Sequence, residues 1–269
     1  MFGLTANLRP IILLNGTRKI LSTVTLRRID EKVDNYTGEW QCAYKKGNSC
    51  SDIVFCQRIL SSVVEKKHWN FTKMSTDMTA AFDNIIRNTI INLLYDCGCT
   101  EDEVQMVKML LSETKLRVKI RKSLSEPFLV TLGSFQGDSL STKLFSLYLA
   151  GALNQLRAIS GAPNPPINHN LMPLESQYAD DADFYDENGK YLKEKLFPLV
   201  KSTFKDWNLK VNDTKTEYTT IEIAKEPSEK GSEDWRTTTC LGSKLDSNKD
   251  ILHRINLGCV AFGKYKKIW

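Results

Sequence analysis

Two adjacent carboxylates sit at a tight bend in Tyr178-Ala179-Asp180-Asp181. Ser176-Gln177 before them and Ala182-Asp183-Phe184 after them read as the two arms of a β-hairpin. A hairpin needs a sheet to support it, so this tetrad places paired acids at the end of one. Two Mg²⁺ ions held roughly 3.5–4 Å apart, clamping the oxygens of an in-line phosphoryl displacement, need such a pair. Exposed turns also take aspartate for their own hydrogen bonding, so the tetrad alone leaves both readings open.

The bulk numbers exclude several classes. The chain has 269 residues, room for one large domain or two smaller ones, with 41% hydrophobic and 26% charged residues as in soluble globular proteins. The formal net charge of +5 suits a polyanionic partner without requiring one. Of seven cysteines only Cys97 and Cys99 lie close together, and no spacing matches a zinc site, so reduced intracellular thiols are expected. His68, His169 and His253 are scattered, which argues against histidine chemistry. No apolar run approaches membrane-spanning length, and Met1-Phe2-Gly3-Leu4-Thr5 lacks the basic start and small-residue cleavage site of a signal peptide.

Helical periodicity covers 52–67, with Ile53, Ile59, Leu60, Val63 and Val64 on one side, and a short β-like run follows at 69–78. A second helix is predicted over 82–95. Thr100-Glu101-Asp102-Glu103 is a capping box that starts a third, running to about Glu113. Residues 116–120 alternate apolar and basic like a half-exposed strand, with 126–132 as hairpin partner. Residues 140–156 form a buried helix, and 162–173 a proline-rich loop. A helix over 190–207 is bent or started late by Pro198. Short strands at 210–211 and 219–223, a polar loop at 224–235 and a last helix over 250–268 complete the pattern. Strands and helices mix without βαβ alternation, so the fold class is α+β.

Two further stretches carry chemistry. Ser75-Thr76-Asp77-Met78-Thr79-Ala80-Ala81-Phe82-Asp83 lies at a strand-to-helix junction, where Asp77 either caps the helix or projects toward Asp180 and Asp181. Gly133-Ser134-Phe135-Gln136-Gly137-Asp138-Ser139 enters the buried helix, and its N–H groups and the Gln136 amide can face a phosphate or a base edge.

In order and context, Asp77 to Asp83, Gln136 to Ser141 and Tyr178 to Asp181 resemble the palm motifs of reverse transcriptases. Leu8-Arg9-Pro10-Ile11, Leu14-Asn15, Lys19-Ile20-Leu21 and Gln41-Cys42-Ala43-Tyr44-Lys45 resemble the fingers, Leu209-Lys210-Val211-Asn212 with Lys215 a further palm motif, and Leu241-Gly242-Ser243 the primer grip. The set is similar to the reverse transcriptases of non-LTR (LINE-like) retrotransposons. The resemblance implies a right-hand polymerase fold: fingers at about 1–70, palm with some fingers elements at 71–245, and the start of a truncated thumb at 246–269. It implies RNA-directed DNA synthesis, a primer 3′-OH attacking a dNTP opposite an RNA template.

It further implies that Asp77 and Asp180 are the principal ligands of two Mg²⁺ ions, with Asp181 completing the acidic cluster and Mn²⁺ a possible substitute. Lys215 would either lie near the leaving pyrophosphate as its proton donor or be a solvated lysine in a strand-turn, and Arg9 and Lys45 would meet the triphosphate. Phe82 would either lie under the incoming sugar and exclude a 2′-OH or be a core Phe on an apolar helix face. Gln136 and Gly137 would pack against the nascent pair, and Tyr178 would lie near the primer end. Lys115, Arg117, Lys119 and Arg121 either follow nucleic-acid backbone or form a solvated face. Lys45 stands where the family commonly has Arg, Ala43 where it has Gly, and Ser139 and Thr142 where prolines are common. The endonuclease and C-terminal nucleic-acid-binding region of such elements have no counterpart here, so a fragment, a decayed copy or an excised core is expected. A viral-type RNA-dependent RNA polymerase and a non-catalytic binding remnant are the alternatives. The resemblance implies a nuclear protein, and the oligomeric state stays open.

Overall fold

Four antiparallel strands form the central sheet of the computed structural model, which describes residues 11–112, 114–163, 167–168, 173–221 and 238–265. They are β1 (Phe71–Thr76), β2 (Glu175–Tyr178), β3 (Asp181–Asp186) and β4 (Glu217–Ile221), in the order β4-β1-β3-β2. Ser75 pairs with Asp183, Thr76 with Ala182, and Tyr178 with Asp181 across the hairpin. The period of two sorts the side chains. Met74, Ala182 and Phe184 enter the main core, while Phe71 and Tyr185 pack on the other face.

The main helices among the described residues are α1 (Gly16–Thr37), α2 (Cys50–Lys67), α3 (Arg87–Asp96), α4 (Glu101–Leu111), α5 (Ser139–Ser160), α6 (Phe197–Asp206) and α7 (Ser247–Tyr265). Helix α5 is buried along most of its length, with Leu144, Phe145, Leu147, Tyr148, Leu149, Ala152 and Leu153 wholly inaccessible. A helix apolar all round belongs at the centre of a core, and α1, α3 and α6 all pack on it. Asp138 caps it, accepting from Leu140 N–H at 3.2 Å. Helix α4 starts at the expected capping box, with Thr100 N–H donating to Glu103 Oε2 at 2.8 Å. No described helix is long and apolar enough to cross a membrane.

Several expectations change. Helix α1 had no sequence signal because its inward stripe is largely polar: Ser22, Thr25 and Thr37 are buried with Ile29 and Val33. Buried Lys143 of α5 pairs with Asp30 and Asp34 of α1 at 2.6 and 2.7 Å. In α2 the inward face is Ile53, Val54, Gln57, Leu60, Ser61 and Val64, whereas Ile59 and Val63 are exposed. The helix expected from residue 82 begins at Arg87. Before it, Ala81–Asn84 forms a separate 3₁₀ turn, and extended backbone at Ile85 and Ile86 breaks the two apart. The strand over 116–120 is two short ladders, Thr114–Leu116 with Phe128–Val130 and Lys119–Ile120 with Ser123–Leu124. The interruption lies near Pro127, which has no N–H to give a ladder. The helix containing Pro198 passes through a π turn, Leu192–Leu196, which absorbs the missing donor before α6. The polar loop at 224–235 lies outside the described residues.

Candidate active site

The turn between β2 and β3 is a two-residue loop, Ala179-Asp180, with Ala179 in the left-handed region at φ 56°. A non-glycine residue there is uncommon and needs surrounding support. Buried Gln41 supplies it. Its Oε1 accepts from Ala179 N–H at 3.2 Å and from Ala43 N–H at 2.9 Å, and its Nε2 donates to Ala179 O at 3.4 Å. Cys42 N–H and Trp40 O add backbone bonds to Gln177 at 3.1 and 2.9 Å. The carboxylate-bearing turn is thus fixed from outside the hairpin.

Asp77 follows β1 directly, and its carbonyl accepts from Asn212 N–H at 2.8 Å. A short ladder, Met78–Thr79 with Lys210–Val211, secures the same junction. Asn212 then caps a 3₁₀ turn, Asp213–Lys215, bringing Lys215 Nζ to 3.2 Å from Asp77 Oδ2. Asp77, Asp181, Asp183, Tyr178, Lys73 and Lys215 line one open cavity of about 320 Å³. Asp180 stands beside it at the turn, close enough to disfavour the charge on Asp181.

Electrostatics in the cavity are dominated by crowded acids. Desolvation by the walls, then Asp180, Asp183 and Asp77 in that order, push the Asp181 carboxyl up to about 6, with Lys215 opposing. Asp183 and Lys73 were not foreseen. Lys73 is buried, with Nζ 3.9 Å from Asp183 Oδ2 and 3.3 Å from Gln57 Oε1. Gln57 of α2 donates to Asp183 Oδ2 at 2.5 Å and to Tyr185 Oη at 2.9 Å. The available signal was spacing: Asp183 lies two residues beyond Asp181 on a strand and therefore on the same face. Burial pushes the Cys240 thiol on the cavity wall up to about 12, so it is no nucleophile at neutral pH.

The remaining nominated residues lie elsewhere. Phe82 is half-buried on its 3₁₀ turn, stacked on Phe145 with centroids 4.5 Å apart. Its turn is tied to the next loop by Ser134 N–H, which donates to Phe82 O at 2.9 Å. Gln136 hydrogen-bonds Asp83 through its side chain, and its carbonyl accepts from Ile12 N–H at 3.0 Å. Exposed Gly137 has φ 107°, and a Cβ there would meet Ile12 O at 3.1 Å. Lys45 Nζ donates to the carbonyls of Asp34, at 3.3 Å, and Gly38 at the end of α1, away from the cavity. Arg9 lies outside the described residues.

Among the described residues no group of three or more His, Cys, Asp or Glu side chains converges tightly enough to hold a metal ion alone. Mg²⁺ does not need such a cage, since it usually takes one or two carboxylates and completes its shell with water and substrate phosphates. Asp77 and Asp181 facing one cavity, with Asp181 crowded by like charges, suit a hard divalent cation. Asp180 would complete the set.

The sheet thus carries acids at a hairpin tip and just beyond the end of the neighbouring strand. Residues 4–245 match the family described as Reverse transcriptase (RNA-dependent DNA polymerase), and the chain belongs to that family. It is 23% identical over 192 residues to the "Retrovirus-related Pol polyprotein from type-1 retrotransposable element R2" of Popillia japonica, covering 71% of this chain and 26% of that protein. It is 27% identical over 221 residues to the "Probable RNA-directed DNA polymerase from transposon BS" of Drosophila melanogaster, covering 77% and 23%. The chain thus spans about a quarter of the length of these relatives. Among solved structures, telomerase from Candida tropicalis with a fragment of telomeric RNA shares the fold, at TM-score 0.60 and 14% identity over 83% of this chain and 35% of that one.

Proposed function

We propose that this chain is an RNA-directed DNA polymerase core of the non-LTR retrotransposon type, extending a DNA primer with dNTPs on an RNA template. The observation that carries the reading is the convergence of Asp77 and Asp181 on one cavity, beside a turn that presents Asp180. Asp77, Asp180 and Asp181 would hold divalent ions, which when bound neutralise the triphosphate and activate the primer hydroxyl. Lys215, which donates to Asp77, would hand a proton to departing pyrophosphate. Tyr178, which lines the cavity, would lie near the primer end. Phe82, its ring fixed by Phe145, would sit against the sugar of the incoming nucleotide. Gln136 and Gly137 would border the template pair, and Lys45 would have to leave its carbonyls to join Arg9 on the triphosphate. In these terms residues up to about 70 act as fingers, 71–245 as palm, and those from 246 as the start of a thumb.

Supplying the purified chain with an RNA template, a DNA primer, Mg²⁺ and either dNTPs or NTPs tests the reading. Extension with dNTPs alone is expected. Extension with NTPs alone would assign an RNA polymerase, and template binding without extension would assign a non-catalytic remnant.

A further inference from the structure

Outside the cavity, one exposed segment carries a dense row of cations. The two short ladders between Thr114 and Val130 form an outlying ribbon that carries Lys115, Arg117, Lys119, Arg121 and Lys122 against a single acid, Glu126. Five bases and one acid give the ribbon a formal charge of +4. All five cations are exposed, and none forms an ion pair with any described residue. Elsewhere exposed lysines do find acids, as Lys201 does with Asp213 at 2.6 Å.

The ribbon is also anchored. The Arg87 guanidinium donates to Leu111 O at 2.7 Å, Val130 O at 2.9 Å, Leu132 O at 3.1 Å and Gly133 O at 3.0 Å. One buried side chain thereby ties both ends of the ribbon to the loop that leads into Gln136. On the ribbon itself, exposed Leu124 stands directly opposite Lys119. Cations interleaved with apolar side chains suit a polymer with phosphates outside and sugars and bases within.

We propose that this ribbon binds the phosphodiester backbone of the nucleic acid on which the cavity works, outside the cavity itself. The inference rests on the polymerase reading for which polymer this is, and the RNA template is the first expectation. Phosphate contacts of this kind release counterions, so they set the salt dependence of binding and add little sequence preference.

The test measures fluorescence anisotropy of a labelled 20-nucleotide RNA, and of the same sequence as DNA, across a KCl series without dNTPs. The full chain is compared with Lys119→Gln/Arg121→Gln/Lys122→Gln and with Lys119→Arg/Arg121→Lys. Loss of three phosphate contacts should make the slope of log affinity against log salt shallower by about 2–3 and weaken binding about tenfold or more at low salt. The charge-conserving variant should keep the wild-type slope. Equal weakening on RNA and DNA supports backbone recognition of either polymer, and weakening on RNA alone restricts it to the template. An unchanged slope in the folded triple variant overturns the proposal. So does a change of oligomeric state with unchanged nucleic-acid binding, which would make the ribbon a protein contact. Because no dNTP is present, failure of the polymerase reading would appear in extension assays and not in this slope.

Discussion

Replacing Gln41 with Met removes three hydrogen bonds from a fully buried position while nearly preserving volume. Two of them satisfy backbone donors, Ala43 N–H and Ala179 N–H, both in buried residues. Each orphaned donor costs about 1–3 kcal/mol, and the long bond to Ala179 O adds little. The total is about 2–6 kcal/mol, and at about 2–4 °C per kcal/mol for a domain of this size the thermal midpoint should fall by roughly 4–24 °C. Because the left-handed Ala179 loses its clamp, polymerase activity measured well below the new midpoint should also fall. Differential scanning calorimetry and primer extension at a low, fixed temperature read the two effects. A midpoint shift under about 2 °C with full activity would show that the hairpin holds its own turn, refuting the argument that Gln41 holds it.

Other perturbations probe neighbouring parts. Arg87→Met should destabilise by at least about 2 kcal/mol in urea unfolding, because it strips four carbonyls of their shared donor. Gly133→Ala should lower the thermal midpoint strongly, since its φ is 75° and the new Cβ would lie 2.7 Å from Asp83 O; an unchanged midpoint would contradict that contact. Phe82→Ala should admit ribonucleotides, read as the ratio of NTP to dNTP incorporation, and unchanged selectivity would remove Phe82 from sugar recognition. Asp181→Asn should raise thermal stability in EDTA, where the crowded carboxylates repel, and shrink the stabilisation gained on adding Mg²⁺.

Legibility followed physical cause. The hairpin and the buried helix over 140–156 were plain because turn chemistry and apolar patterning agree there. Helix α1 was hidden because Ser22, Thr25 and Lys143 replace an apolar seam with hydrogen bonds and ion pairs that no periodicity reports. The acids Asp77, Asp180 and Asp181 could be nominated from local motifs. Gln41 and Gln57 gain their roles from contacts 138 and 126 residues away, which depend on the finished fold. Lys45 matched a motif position, yet here it bonds the end of α1.

The central claim is that this acidic cavity synthesises DNA. It is tested most directly by Mg²⁺-dependent extension of a DNA primer on an RNA template, with the wild-type chain and Asp180→Ala assayed side by side at equal folded concentration. The account predicts extension by the former and none above background by the latter. Wild-type-like extension by Asp180→Ala would contradict it.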